Sequence, residues 1–283
     1  MLKTIQLHET KPLTTGQIST VQVPPYGKIH SLVLRFSTSA GADVTEAAIR
    51  AEIGNIRLSI NGKDLVNATA TKLLDLYEVL GQNVNDAAGV ASVLELNIGR
   101  LLYTDPDARD LFGWGMADVQ SVQVAVTAGT LSTIANVQAI TARTSQNENL
   151  GMYMKFINYA VSFNSTGDHT MDTLPRDPDS SYLLVMADAG ASGTQTFGEV
   201  RVNNVTVKER VPAAVNKMLV SNDRLATPSG YFIYAFSDGS VLTRLPMVDV
   251  KDLRFIGTYS VAPGAAGYNL TALTVVNMPA NLK

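Results

Sequence analysis

The chain has 283 residues, 46% of them apolar and 17% charged, with a net charge of −3. That apolar content excludes disorder as the default state, and the absence of cysteine excludes disulfides, thiolate metal sites and a cysteine nucleophile. The 22 basic and 25 acidic residues divide evenly between the two halves, leaving no basic arm or patch in sequence for the phosphate attraction on which nucleic-acid binding rests.

At the N-terminus, MLKTIQLH has no long apolar core, so the expectation is a chain without a signal peptide, folded in a bacterial cytoplasm. No run approaches the roughly 18 apolar residues of a membrane span. Val44–Ile53 is rich in Ala and Glu and reads as a short surface helix. Next, Ile56, Leu58 and Ile60 alternate with Arg57, Ser59 and Asn61, the period-2 pattern of a strand with one buried face. Asn61-Gly62 supplies a φ > 0 pair for a tight hairpin. Leu73, Leu76, Tyr77 and Leu80 fall on one helical face, with Thr71 as cap and Gly81 as stop. Alternation returns at Leu94, Leu96 and Ile98, and again at Val122, Val124 and Val126. Between them, Gly113-Trp114-Gly115 reads as a turn with a packed aromatic. In the second half Val200 and Val202 flank Arg201. A helix begins near Pro212, with Val215, Met218 and Leu219 on one face and Asn222 near its end.

The chain repeats internally. Gln17–Phe36 lies over Gly167–Met186 without a gap, placing Leu32 on Tyr182. Asn55–Val66 parallels Glu199–Arg210, Ala117–Val124 parallels Val248–Phe255, and Asn136–Thr141 parallels Asn269–Thr274. The order is kept while the offset shrinks, as shorter loops in the second copy require. The polar stretch from Thr144 to Gly151 reads as a linker. Eight strands per copy, with a helix in the middle and no βαβ alternation, suit an all-β chain of two tandem eight-stranded jelly-roll sandwiches, each with one short helix, over 1–145 and 150–283.

Catalytic signals are weak. His8, His30 and His169 are far apart in sequence, and no nucleophile elbow, zinc-protease motif or phosphate loop is present. Asp105, Asp107 and Asp110 space carboxylates as some calcium loops do, without the Gly and distant Glu of an EF-hand. The sequence alone leaves open whether that loop binds an ion. Arg176-Asp177-Pro178-Asp179 reads as a solvated turn. Asn67, Asn164, Asn204 and Asn269 begin chance glycosylation triplets. Tyr231, Phe232, Tyr234 and Phe236 read as a core strand, because a stacking platform brings basic neighbours. The expectation is no catalytic residue, no cofactor and no metal.

Leu32–Phe36, the hairpin NIRLSINGKDLV (Asn55–Val66) and Thr71–Tyr77 resemble the coat protein of corticoviruses. In the second half Met171–Pro175, Tyr182–Met186 and Asp249–Arg254 resemble the corresponding parts of that protein. The resemblance covers nearly the whole chain and implies a double jelly-roll major capsid protein of a membrane-containing icosahedral bacteriophage. It also implies homotrimers of hexagonal outline that contact neighbouring capsomers and other virion proteins over an internal membrane, without touching nucleic acid. The competing readings are a tandem β-sandwich that binds carbohydrate or a receptor, and a hydrolase on a cupin-like scaffold. The first wants an exposed aromatic cluster and the second a His/Glu metal set; the sequence shows neither.

Overall fold

The computed structural model describes residues 3–82, 93–102, 106–161, 163, 165–188, 195–223, 225–237, 244–262 and 268–276. The chain divides into two units, one ending at Ile157 and the other starting at Asn158, with Glu78–Gly81 counted in the second.

In order, the first unit holds β1 (Thr4–Pro12), β2 (Ile18–Val23), β3 (Lys28–Ser37), α1 (Glu46–Glu52), β4 (Ile53–Ile60), β5 (Lys63–Thr69), α2 (Ala70–Val79), β6 (Val93–Glu95), α3 (Ile98–Leu102), α4 (Pro106–Leu111), β7 (Trp114–Gly115), β8 (Val122–Ala128) and β9 (Asn136–Thr144). One sheet runs β1-β9-β3-β6 with β7 on β3, and the facing sheet runs β5-β4-β8-β2. β10 (Tyr153–Val161) opens within this unit, where Phe156 and Ile157 pair parallel with Val66 and Asn67 of β5.

The second unit takes up the rest of β10 and adds β11 (Gly167–Met171), β12 (Ser180–Asp188), β13 (Gln195–Val202), β14 (Val205–Pro212), α5 (Ala213–Asn222), β15 (Tyr231–Ala235), β16 (Leu245–Pro246), β17 (Leu253–Tyr259) and β18 (Tyr268–Val276). Its sheets run β10-β18-β12-β15, with β16 on β12, and β14-β13-β17-β11. Strand for strand this is the order of the first unit. Each is an eight-stranded jelly roll with one extra two-residue strand.

Period-2 alternation carries the first core. Ile56, Leu58, Ile60, Val122, Val124 and Val126 are all buried, while Arg57 and Gln123 between them are exposed. The second core is aromatic: Tyr182, Phe232, Tyr234, Phe255, Tyr259 and Tyr268 pack together. Buried Gln195 at its centre donates from Nε2 to Tyr234 Oη (2.8 Å), and its Oε1 accepts from Tyr259 Oη (2.9 Å) and Tyr268 Oη (3.1 Å). Those bonds offset the desolvation of three phenols.

Several local expectations change. The helix expected from Thr71 starts at Ala70, and the hydroxyl of Thr69 accepts from Lys72 N (3.3 Å). The alternation at Leu94, Leu96 and Ile98 is strand only to Glu95. There the Glu95 carboxylate accepts from Asn97 N (3.0 Å), and the chain turns into α3. Trp114 is not in a turn: with Gly115 it forms β7, paired to Lys28 and Ile29. Among the described residues the first unit therefore has four short helices, with α3 and α4 beyond those expected. Val215, Met218 and Leu219 of α5 are 40%, 57% and 39% exposed, and the buried residues are Asn216 and Val220. Asn216 Nδ2 donates to Ile233 O (2.9 Å), so the face holding Asn216 and Val220 turns inward and the Val215, Met218 and Leu219 stripe outward.

Candidate assembly surface

A sheet edge carries unpaired backbone donors and acceptors, so every exposed edge strand invites another strand. Among the described residues β1 ends one sheet of the first unit, and β14 ends one sheet of the second. Both edges expose apolar side chains at their N-terminal ends. Ile5 and Leu7 on β1 are 69% and 63% exposed, and Val205 and Val207 on β14 are 65% and 48% exposed. Each unit thus leaves apolar side chains in water, on β1 in the first and on β14 and α5 in the second, the usual mark of an association site.

The histidines belong to the scaffold. His8 bonds Thr141 Oγ1 (3.0 Å) and His30 bonds Thr144 Oγ1 (2.9 Å), placing them on the two sides of β9. Both are buried, and burial lowers their pKa, reinforced by Arg143 for His8 and by Lys3 for His30. His169 lies in the second unit, where its ring stacks on Phe163 at 3.9 Å.

Asp105 and the side chain of Asp107 lie outside the described residues. Asp110 accepts from Lys28 Nζ (3.0 Å) and sits 3.1 Å from His30 Nδ1; Lys28 also reaches Glu148 (3.0 Å). Asp110 of α4 is thus tied to buried Lys28 and His30, an arrangement invisible in spacing because the partners are about 80 residues away in sequence. Lys3, Arg100 and Arg109 line a small pocket with His30 and Asp110, a basic grouping that only folding assembles. Among the described residues no three His, Asp or Glu gather as a metal site, and no helix is long and apolar enough to cross a membrane.

In the turn at Arg176–Asp179, Arg176 Nη1 donates to Lys251 O, and Asp177 O accepts from Ser180 N and Oγ. Asn164 lies outside the described residues, whereas Asn67 and Asn269 stand in strands and Asn204 in a hairpin turn. Phe232 and Tyr234 are buried in β15, with Phe236 packed against the same cluster.

Two carboxylates that the sequence did not single out are the most perturbed. Glu52 accepts from Ser132 N (3.0 Å), Ser132 Oγ (2.7 Å), Thr133 N (3.0 Å) and Ile134 N (2.8 Å). Burial alone would raise its pKa; those donors outweigh it and lower it to about 2. Glu95 accepts from Ser31 Oγ, Leu32 N (2.9 Å) and Asn97 N (3.0 Å), yet burial dominates and raises it to about 6. Glu52 ties the end of α1 to residues 132–134, and Glu95 ties β6 to β3 and to the turn at Asn97.

Two jelly rolls in one chain, with open apolar edges and polar groups spent on internal ties, define a structural subunit built to associate. Solved structures share this double jelly roll. The major capsid protein P2 of bacteriophage PM2 matches with a TM-score of 0.81 at 13% identity, covering 99% of each chain. A structure from Sulfolobus turreted icosahedral virus matches with a TM-score of 0.70 at 16% identity, covering 98% of this chain and 91% of that one. The PBCV-1 virus capsid matches with a TM-score of 0.64 at 9% identity, covering 98% and 95%. No curated protein sequence matches. The viral coat protein P2 N-terminal domain matches residues 4–147, and the viral coat protein P2 C-terminal domain matches residues 153–275. The chain belongs to the viral coat protein P2 family: it is a capsid protein of the virion, a structural subunit and not an enzyme.

Proposed function

We propose that this chain is the major coat subunit of an icosahedral virus, working as a homotrimer whose six jelly rolls, from residues 1–145 and 150–283 of each copy, surround one axis. The observation that carries this is the repeated strand order of the two units. Two similar sandwiches per chain and three chains per ring fill a hexagonal net while keeping only threefold symmetry, and head-to-tail contacts close into such a ring. The first jelly roll of one chain meets the second of its neighbour. The net charge of −3 supports a shell separated from its genome by another layer, an internal membrane, because an acidic shell repels bare nucleic acid. Light scattering on the purified full chain tests the reading: a uniform trimer supports it, and a monomer at micromolar concentration overturns it. Strong, salt-sensitive DNA binding by the trimer would overturn the separating layer.

A further inference from the structure

The strand order makes β1 the counterpart of β10, and β5 the counterpart of β14. Within the first unit Phe156 and Ile157 of β10 pair with Val66 and Asn67 of β5. Met154 and Phe156 on β10 are 4% and 0% exposed, and Leu65 and Val66 on β5 are 1% and 0% exposed. Their counterparts are left open.

The equivalence holds residue by residue. In the first hairpin Leu58 pairs Val66 and Ser59 pairs Asp64, leaving Leu65 as the bulged residue. In the second, Val200 pairs Lys208 and Arg201 pairs Thr206, leaving Val207 as the bulged residue. Val207 thus stands where Leu65 stands, and Lys208 where Val66 stands. β1 and β10 take the same place in their sheets, and each carries an alternate apolar pair, Ile5 and Leu7 on β1 and Met154 and Phe156 on β10. All four places on β1 and β10 are apolar, but two are buried and two face water. An apolar residue kept at an equivalent place without cover needs cover from outside the chain.

We infer that β1 of one copy adds in parallel to the open edge of β14 in the next copy, with Leu7 beside Lys208, as Phe156 lies beside Val66 within one chain. The addition uses both free edges at once. In this register uncharged Thr4, Ile5 and Gln6 face Val205, Thr206 and Val207. The next pair sets His8 opposite Glu209, and the one after it sets Glu9, which holds Lys11 at 2.7 Å, opposite Arg210, which holds Asp168 at 2.8 Å, so no like charges meet. Leu7 would close the end of the second core, where Val202, Val211 and Ala213 are only partly buried. The contact joins unlike strands, so it propagates head to tail and closes into a ring. The inference rests on the homotrimer reading and names its seam.

The cysteine-free chain makes the test clean. Paired strands bring Cα atoms within the range a disulfide spans, about 4.4–6.8 Å. Full-length Leu7→Cys/Lys208→Cys, oxidised with copper phenanthroline, is expected to run as covalent dimer and trimer on a non-reducing gel, whereas each single variant yields no trimer. Ile5→Cys/Lys208→Cys detects the same seam slipped by two residues. A trimer by light scattering in which neither pair cross-links overturns the seam and leaves the trimer standing. A monomeric unmodified chain overturns both. As a second arm, Leu7→Asp changes a residue exposed in the single chain. It is expected to give a monomer with an unchanged circular dichroism spectrum, and a trimeric Leu7→Asp overturns the seam.

Discussion

Asn61 and Asn203 hold the same clamp twice. Both have φ of 49° at a hairpin turn. Asn61 Oδ1 accepts from Gln120 N (2.7 Å) and Ser121 N (3.2 Å), and its Nδ2 donates to Asp118 O (3.3 Å). Asn203 Oδ1 accepts from Lys251 N (2.8 Å) and Asp252 N (3.1 Å), and its Nδ2 donates to Asp249 O (3.1 Å). Backbone bonds repeat as well: Asn61 N donates to Ser121 O, and Asn203 N donates to Asp252 O. Asparagine suits both needs, because it tolerates the left-handed region and carries a donor and an acceptor on a short stem.

Replacing either clamp by alanine removes two accepted bonds and leaves a Cβ residue at positive φ. Asn61→Ala and Asn203→Ala are each expected to cost about 2 kcal/mol. The two act in different units, so their effects should add within about 0.5 kcal/mol. Asn→Asp at either site keeps the acceptor and should lose less than alanine. Urea unfolding of the four variants and the double alanine mutant checks this; an alanine variant as stable as the parent would remove the clamp from the account.

Glu95 gives stability a pH dependence of unusual sign for a carboxylate. Its pKa is raised from 4.5 to about 6, so the folded chain holds the proton more tightly than the unfolded one. The contribution is complete below about 4.5 and is lost as pH rises through about 6, a swing of about 2 kcal/mol. Glu95→Gln should flatten this part of the profile. Denaturant midpoints of both proteins between pH 4 and 7 measure it, and parallel profiles would contradict the assignment.

Much of this fold was legible in the sequence because alternation and turn chemistry are local. Ile56, Leu58 and Ile60 announced β4, and Asn61-Gly62 announced its hairpin. Register was harder to read. The ungapped repeat set Leu32 on Tyr182, whereas matching bulges at His30 and Leu183 align Ile29 with Tyr182 and Leu32 with Val185. Likewise the hairpins align Asn61 with Asn203, two residues from the sequence match. β12 is buried on both faces from Ser180 to Ala187, so its continuous apolar run has no alternation by which to fix a register. The stripe of α5 misled for another reason: periodicity shows that a face is apolar, not whether its cover lies in the same chain. Glu52 and Glu95 carried no signal, because most of their partners, Ser132–Ile134 for Glu52 and Ser31 and Leu32 for Glu95, are far away in sequence.

Glu52 predicts the opposite acid response. Its pKa falls from 4.5 to about 2, so its contribution is present above about 4.5 and fades as pH drops through about 2. Glu52→Gln replaces an acceptor oxygen with an amide that faces the donors from Ser132–Ile134. The expected loss is about 3 kcal/mol at pH 7, the scale for breaking a buried charged network. Thermal unfolding at pH 7 and pH 3 checks it, and the gap between parent and variant should narrow at the lower pH.

Phe156 lies on β10 and Leu7 on its counterpart β1, so truncating them separates stability within the chain from stability of the assembly. Phe156 is fully buried. Phe156→Ala leaves a cavity beside β5 and should cost about 3–5 kcal/mol in the isolated chain. Leu7 is 63% exposed. Leu7→Ala should change the isolated chain by less than about 0.5 kcal/mol, the usual scale for a surface site. In the assembled protein the same truncation should bite, because there Leu7 is covered. Unfolding at dilutions below the association threshold, and sedimentation above it, measure the two quantities separately. A large loss for Leu7→Ala in the dilute chain would mean that β1 is already covered within its own copy. Equal sedimentation of parent and variant would mean that nothing covers it in the assembly either.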